Sequence, residues 1–168
     1  MTFTLIGMPG CGKSCMGKAL AAKLKMKFID GDRLIEEREG KKLYEIINDV
    51  GMDGFKKIEE ETLASINEDN AIIAPGGSAV YYDRAMQHFK KIGKVVYLYV
   101  GYELIKERLG DYSKRGVVLK EGQTLLDLYE ERKKLFKKYA DIVLNCNGKD
   151  YSEFQAAAVE VMSTYMDK

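Results

Sequence analysis

The segment TLIGMPGCGKSCMG, residues 4–17, most constrains the fold, because it inserts clustered glycines between an apolar run and a helix-forming sequence. It contains three glycines and, directly after them, a lysine and a serine: Gly7, Gly10, Gly12, Lys13 and Ser14. Glycine loses more backbone entropy on folding than any other residue, so a cluster indicates a backbone shape that other residues resist. The spacing G-x-x-x-x-G-K-S after a strand is typical of a loop whose backbone N–H groups surround phosphate oxygens. The segment therefore predicts a strand, a phosphate-binding loop (P-loop) and a helix; a tight turn that contains Lys and Ser by chance is the alternative.

The P-loop also predicts the kind of ligand. The helix that starts near Gly12 adds the positive end of its dipole to the loop. Lys13 can reach the β- and γ-phosphates of a nucleotide, and the Ser14 hydroxyl can hold Mg²⁺. We therefore expect ATP and Mg²⁺ as cofactors, with the phosphates bound by consecutive residues of the loop: Gly10, Cys11, Gly12, Lys13, Ser14 and Cys15.

The rest of the chain alternates short apolar strands with helical segments. The strands are predicted at residues 2–6, 26–29, 71–74, 94–100 and 141–145. Helical patterns fill the intervals, among them three separate helices at residues 32–39, 43–50 and 55–67. This alternation predicts an α/β fold of P-loop NTPase type, a three-layer sandwich with a five-stranded parallel sheet, in one domain over residues 1–168. Ligands of such sheets bind at the carboxyl ends of the strands.

Composition and charge exclude several classes of protein. Lys plus Arg number 27 and Asp plus Glu number 26, so the chain lacks the basic excess of a general nucleic-acid binder. An odd number of cysteines, three, without metal-ribbon spacing favours a reduced, cytoplasmic protein. No apolar run approaches the ~18 residues that span a membrane, and the N-terminus has no signal-peptide pattern. With the single histidine His88, a catalytic histidine pair is excluded.

Polar residues follow the second and third strands. Asp30 and Asp32 lie two apart at a strand end, so both can face the site. One carboxylate can order Mg²⁺ through water, and the other can accept a proton from a substrate hydroxyl. The alternative for Asp32 is a helix cap. Gly76 and Gly77 either permit close approach of a ligand to the backbone or form a simple turn.

An aperiodic, glycine-containing segment at residues 110–123 predicts a lid. Its Arg115 can close over the transferring phosphate, or belong to an ordinary surface loop. Arg108 and Arg132 lie in predicted helices, where they bind a ligand or form surface ion pairs. Lys56 lies in a charged helical segment that, by itself, favours a solvent-exposed face.

Taken together, these motifs resemble the shikimate kinase family over nearly the whole chain. The family form G-x-x-G-x-G-K-S is present at residues 7–14, and its D-x-D is present at 30–32. G-F-R-x-x-E resembles residues 54–59, and G-G-G resembles 76–78. The lid R-P-L-L resembles 115–118 weakly, and the late E-R-x-x-x-Y…A-D resembles residues 131–141.

The resemblance implies a monomeric, cytoplasmic enzyme that uses ATP and Mg²⁺ to phosphorylate a small hydroxylated carboxylic acid, in particular shikimate to shikimate 3-phosphate. It implies neither nucleic-acid nor membrane binding. The implied catalytic residues are Lys13, Asp32 and Arg115. Beside the P-loop, the nucleotide is bound by Arg108 and Arg115, and Mg²⁺ by Ser14 and Asp30. The implied acceptor-binding residues are Asp32, Lys56, Gly76, Gly77 and Arg132.

Three departures from the family pattern concern the acceptor and the lid. Lys56 replaces an arginine, Ser78 a glycine and Gly116 the lid proline. A lysine cannot reproduce the bidentate grip of arginine on a carboxylate. A kinase of another hydroxy acid, such as gluconate, and a non-catalytic nucleotide-binding regulatory domain are therefore the alternatives.

Overall fold

A computed structural model describes residues 1–112 and 117–167. The strands of its sheet are β1 (Thr2–Ile6), β2 (Lys27–Asp30), β3 (Ala71–Ala74), β4 (Gly93–Tyr99) and β5 (Ile142–Asn145). The helices are α1 (Lys13–Leu24), α2 (Gly31–Glu39), α3 (Leu43–Ala64), α4 (Asp83–Ile92), α5 (Tyr102–Leu109), α6 (Leu125–Tyr139) and α7 (Tyr151–Met166). A short 3₁₀ helix, Ala79–Tyr81, follows β3.

All five strands are parallel, in the order β2-β3-β1-β4-β5. The predicted five-stranded parallel sheet is therefore confirmed. β1 lies at the centre and is buried along its whole length, with Phe3 opposite Ile72 of β3 and Leu5 opposite Val96 of β4. The chain passes from β1 to one side of the sheet and later to the other, so the loop after β1 lies where the strand order reverses. That loop is the P-loop, at the usual ligand position of an open parallel sheet.

Helices cover the sheet and enclose its apolar side chains. α1 packs on β1, β2 and β3 and contacts α7, whereas α4 packs on β1 and β4 and contacts α3. The core joins strand residues such as Phe3 and Leu98 to helix residues such as Leu20, Phe89 and Phe136. This packing confirms the predicted three-layer α/β fold.

α3 consists of two helical stretches that meet at Gly51, whose backbone is non-helical, with φ 73° and ψ 174°. This agrees with the two helices expected at residues 43–50 and 55–67. A left-handed φ favours glycine, so Gly51 permits the kink between them. The 3₁₀ helix Ala79–Tyr81 was not expected, because three residues are too few for a periodic pattern.

Among the described residues, no helix combines the length and the apolar character needed to cross a membrane. The three cysteines, Cys11, Cys15 and Cys146, are free thiols. Tyr97 is buried beside Phe136 and belongs to the core.

Candidate active site

The P-loop has the backbone shape that its glycines predict. Gly7, Gly10 and Gly12 have φ of 155°, 82° and 91°, all in the region that favours glycine. A Cβ atom on Gly7 would lie 2.8 Å from Cys11 Sγ and 3.0 Å from the backbone oxygen of Leu98. The lack of space for a side chain and the backbone conformation thus both require glycine at this position.

Lys13, the first residue of α1, folds its side chain back over the loop. Its Nζ atom donates to the backbone oxygens of Gly7, at 2.7 Å, and Met8, at 3.1 Å. The next residue, Ser14, is exposed, and the first turn of α1 contains no acidic residue. The positive end of the helix dipole and the ammonium group therefore act together at the loop, and they favour a bound anion.

The two P-loop cysteines have different surroundings. Cys11 is buried, and its backbone N–H donates to the Met8 oxygen at 3.1 Å, so it shapes the loop from within. Cys15 is exposed, and its Sγ atom lies 3.6 Å from the Tyr151 hydroxyl at the start of α7. The Cys11 thiol accepts a hydrogen bond from Lys13 Nζ at 3.7 Å. The predicted phosphate contact of both cysteines concerns their backbone N–H groups, as in the rest of the P-loop.

Arg108, near the end of α5, reaches the P-loop from a position 98 residues away in the chain. Its Nη1 atom donates to the backbone oxygen of Gly10 at 3.2 Å. The side chain forms no ion pair with any described residue, so the surface-ion-pair alternative is wrong for Arg108. Arg115 and most of the expected lid centre, at 113–116, lie outside the described residues.

Asp30 and Asp32 lie at the end of β2 and have different roles in the fold. Asp30 caps α2, because its Oδ1 atom accepts hydrogen bonds from the backbone N–H groups of Asp32, at 3.0 Å, and Arg33, at 3.2 Å. The alternative that Asp32 is the cap is therefore wrong. Asp32 is half-buried in the first turn, and burial, then the neighbouring carboxylates Glu59, Asp30 and Glu36, raise its pKa to about 6. The positive charge of Lys13 opposes this rise in pKa.

A second carboxylate, Glu59 of α3, lies on the other side of Gly76. A Cβ atom on Gly76 would lie 3.3 Å from Asp32 Oδ1 and 3.6 Å from Glu59 Oε2. Glu59 is buried, with 3% of its surface exposed, and its Oε1 atom accepts a hydrogen bond from Ser78 Oγ at 3.0 Å. Burial and a hydrogen bond to Glu59 raise the pKa of the neighbouring Tyr82 hydroxyl. The glycine at position 76 thus leaves room between two carboxylates.

Arg132 of α6 and Pro9 of the P-loop lie beside Gly77. A Cβ atom on Gly77 would lie 3.2 Å from Arg132 Nη1 and 3.3 Å from Pro9 Cγ. The guanidinium carbon lies 5.4 Å from the centre of the Tyr81 ring. Its Nε atom is buried without a hydrogen-bond partner among the described residues, and no described carboxylate pairs with it. The arrangement leaves a cation with free donors beside the P-loop and the Gly76–Gly77 turn.

Lys56 lies on α3 one helical turn before Glu59, and its side chain is exposed. Neither Lys56 nor Lys57 forms an ion pair with a described residue, so a helical ladder of paired charges is absent here. Lys56 therefore lies on the helix that borders the site, and its ammonium group has no ion-pair partner among the described residues.

Tyr81 and Tyr82 were not expected at this site, whereas Glu59 was covered only by the motif at residues 54–59 and Ser78 only as a departure from the family pattern. Glu59 had a usable signal, since it follows Lys56 by three residues on a predicted helix and so shares its side of that helix. Ser78 directly follows the two glycines. The tyrosines had no polar pattern or spacing that distinguishes a site from a core position.

Comparisons with known proteins agree with this geometry. The family model described as shikimate kinase matches residues 9–163. The shikimate kinase of Sulfurihydrogenibium sp. (strain YO3AOP1) is 35% identical over 150 residues, which cover 89% of this chain and 90% of that protein. The shikimate kinase of Clostridium botulinum (strain Eklund 17B / Type B) is 39% identical over 135 residues, which cover 80% of this chain and 81% of that protein.

Solved structures give the same result. The shikimate kinase from Acinetobacter baumannii, in complex with shikimate, superimposes with a TM-score of 0.80 at 27% identity, covering 99% of this chain and 93% of that one. The P-loop, the strand-end aspartates and the parallel sheet thus occur together in a chain that matches the family model over nearly its whole length. The chain belongs to the shikimate kinase family.

Proposed function

We propose that the protein transfers the γ-phosphoryl group of ATP to a hydroxyl of a small hydroxylated carboxylic acid, with shikimate as the acceptor and shikimate 3-phosphate as the product. One observation carries the proposal: the half-buried Asp32 carboxylate lies beside Gly76, and the Arg132 guanidinium, without an ion-pair partner among the described residues, lies beside Gly77. The charge of the P-loop lysine, Lys13, acts on Asp32. A phosphate binder, a proton acceptor and a carboxylate binder are the three groups that this reaction needs. Family membership supports the same activity.

The nucleotide side is proposed to consist of residues 10–15 and Arg108. The left-handed glycines and the unopposed helix N-terminus fit a polyphosphate, because they turn N–H groups and positive potential toward it. Lys13 already donates to two backbone oxygens of the loop, and it is expected to exchange them for β- and γ-phosphate oxygens. Arg108 is proposed to contact the nucleotide from the α5 side, where it already meets Gly10. Arg115 is proposed as a lid residue from the sequence alone.

Ser14 and Asp30 are proposed to hold Mg²⁺. Asp30 uses Oδ1 to cap α2, which leaves Oδ2 for a metal-bound water, and the Ser14 hydroxyl is exposed at the loop. No cluster of three or more acidic, histidine or cysteine side chains within 1–112 and 117–167 could hold a metal by itself. This fits Mg²⁺, which usually takes one or two protein ligands together with phosphates and waters. When bound, the ion neutralises phosphate charge.

Asp32 is proposed to orient the acceptor hydroxyl and accept its proton. With a pKa of about 6, it is largely ionised near pH 7.5, and it is a stronger base than an ordinary aspartate. Gly76, adjacent to its Oδ1 atom, is proposed to let the acceptor approach the backbone closely.

The acceptor's carboxylate is proposed to bind Arg132 beside Gly77, with Lys56 as a second cation. Arg132 has free N–H donors for a two-point contact, whereas Lys56 offers a point charge on a mobile stem. The exposed position of Lys56, without a fixed partner, favours a second candidate function, the phosphorylation of a different hydroxy acid such as gluconate.

A coupled ADP-release assay with a panel of hydroxy acids tests the proposal. We expect Mg²⁺-dependent turnover of shikimate that Asp32→Asn reduces by about 10²–10⁴-fold. Turnover of gluconate or another acid alone would keep the kinase class and reject shikimate. Nucleotide binding by calorimetry without turnover of any acid would favour the regulatory alternative. Because all proposed roles fall on one chain, we expect a monomer in gel filtration to be fully active.

A further inference from the structure

The side chain of Arg132 has an aromatic neighbour where a partly buried arginine usually has an acidic one. Its Nε atom is buried without a hydrogen-bond partner in the part of the chain that the structure describes, and the guanidinium carbon lies 5.4 Å from the centre of the Tyr81 ring. Removing a cation from water is costly unless a partner compensates it. A ring face attracts a guanidinium through its quadrupole, so Tyr81 provides part of that compensation.

We propose that Tyr81 is a positioning residue for the acceptor: its ring holds the Arg132 guanidinium in place and leaves the positive charge and N–H donors free for the acceptor's carboxylate. This inference rests on the proposed function, because it concerns how the acid is gripped. A carboxylate in place of the ring would fix Arg132 more strongly. It would also neutralise the guanidinium charge and occupy the paired N–H donors that the acceptor's carboxylate needs.

The backbone that supports Tyr81 is firmly held. The N–H of Tyr81 donates to the Ser78 oxygen at 3.0 Å, and the N–H of Tyr82 donates to the Ala79 oxygen at 3.0 Å. Ala79 and Val80 are each 1% exposed, so they anchor the 3₁₀ helix in the core. The segment thus fixes the ring relative to the sheet, which is what a positioning residue requires.

Ser78 adds a second attachment on the opposite side of the turn. Its hydroxyl donates to the buried Glu59 carboxylate at 3.0 Å. The turn Gly76–Gly77 therefore lies between a side tied to Glu59 and a side tied through Tyr81 to Arg132. The acceptor hydroxyl beside Asp32 and the acceptor carboxylate beside Arg132 are then held at a fixed separation.

The ring can be removed without opening the core. Tyr81 is 41% exposed, unlike Ala79 and Val80 of the same helix. We therefore expect Tyr81→Leu, Tyr81→Gln and Tyr81→Phe to keep the thermal unfolding midpoint of the wild type within a few degrees. Leu and Gln are two ring-free variants of different polarity, and Phe keeps the ring as the matched control.

The test measures kcat and KM for shikimate in the wild type and the three variants. Tyr81→Leu and Tyr81→Gln should raise KM by roughly 3- to 30-fold, the range of a partly desolvated cation–π contact. Their kcat should change less than twofold, and Tyr81→Phe should match the wild type. With the neutral methyl ester of shikimate as acceptor, KM should be the same in all four proteins, because the ester has no charge for Arg132 to bind.

The outcomes separate this inference from the proposed function. If the wild type phosphorylates shikimate and the ring-free variants keep its KM, the role of Tyr81 is overturned and the function stands. An equal rise in KM for the acid and the ester would also overturn it, since the ring would then act by shape alone. If the wild type turns over no hydroxy acid, both the proposed function and the role of Tyr81 are rejected.

Discussion

Replacing Asp32 by Asn is expected to make the free protein more stable while it slows catalysis. The carboxylate is half-buried, and three other carboxylates, those of Glu59, Asp30 and Glu36, add repulsion. Burial and this repulsion raise its pKa from 3.8 to about 6. An acid with a raised pKa in the folded state prefers to be neutral there, so its ionisation above pH 6 works against folding.

The size of the effect follows from the same pKa. At 1.36 kcal/mol for each tenfold change in the ionisation constant, a rise from 3.8 to about 6 corresponds to about 3 kcal/mol. Partial exposure of Asp32 and its favourable place in the first turn of α2 reduce this figure to about 1.5–2.5 kcal/mol. If the free energy of unfolding falls by about 2 kcal/mol for each 1 M of urea, the urea concentration at the unfolding midpoint should be about 1 M higher for Asp32→Asn than for the wild type.

The stability difference between Asp32→Asn and the wild type should depend on pH. At pH 4, Asp32 is protonated in the folded state and about half protonated in the unfolded state, whose pKa is 3.8, so most of the stability difference between the wild type and Asp32→Asn should be absent. Between pH 4 and 6 the wild type loses stability relative to the variant, and above pH 6 the difference is complete. Urea unfolding followed by circular dichroism at pH 4 and pH 7.5 measures both limits.

Asp30→Ala is the matched control, two residues away. It removes the cap of α2 and should lower stability by about 1 kcal/mol at pH 7.5. The reasoning is refuted if Asp32→Asn is no more stable than the wild type at pH 7.5, or if it keeps its full advantage at pH 4.

Three further predictions concern the two halves of the site. Lys13→Ala should weaken ATP binding at least tenfold in calorimetry and leave the unfolding midpoint nearly unchanged; unchanged affinity would exclude its phosphate contact. Lys56→Arg should lower the KM for shikimate with little effect on kcat, because a fork replaces a point charge; a fall in kcat alone would contradict an acceptor role. Gly76→Ala should fold normally but reduce kcat, since its Cβ atom would lie 3.3 Å from Asp32 Oδ1; wild-type kinetics would show that this space is not used.

The sheet and the P-loop were predictable because their signals are local. Apolar runs of four to seven residues identified the strands within one residue at each end, and the glycine spacing specified the loop. The interruption of α3 at Gly51 had a local signal as well, since a glycine stands between two helical patterns. The cap of α2 was less certain, because Asp30 and Asp32 both stand next to the helix start.

The contacts between distant residues were less predictable, on both sides of the site. Arg108 reaches Gly10 of the P-loop across 98 positions, and on the proposed acceptor side Ser78 reaches Glu59 across 19. Arg132 and Tyr81 meet only because α6 packs beside the 3₁₀ helix. Pattern and spacing report on neighbours in sequence, so such pairs need either the resemblance to a family or the structure itself.

The phosphate side and the proposed acceptor side of the site are held by different kinds of groups. The phosphate side depends on backbone: left-handed glycines, a helix end and the bonds of Lys13 to main-chain oxygens. The proposed acceptor side depends on side chains that contact one another: Ser78 with Glu59, and Tyr81 with Arg132. Side-chain contacts can change without moving the backbone of the loop, so departures from the family pattern at Lys56 and Ser78 are compatible with an intact P-loop. ATP affinity and acceptor KM should therefore vary independently: Lys56→Arg and Tyr81→Leu should change only the second, whereas Lys13→Ala should change the first.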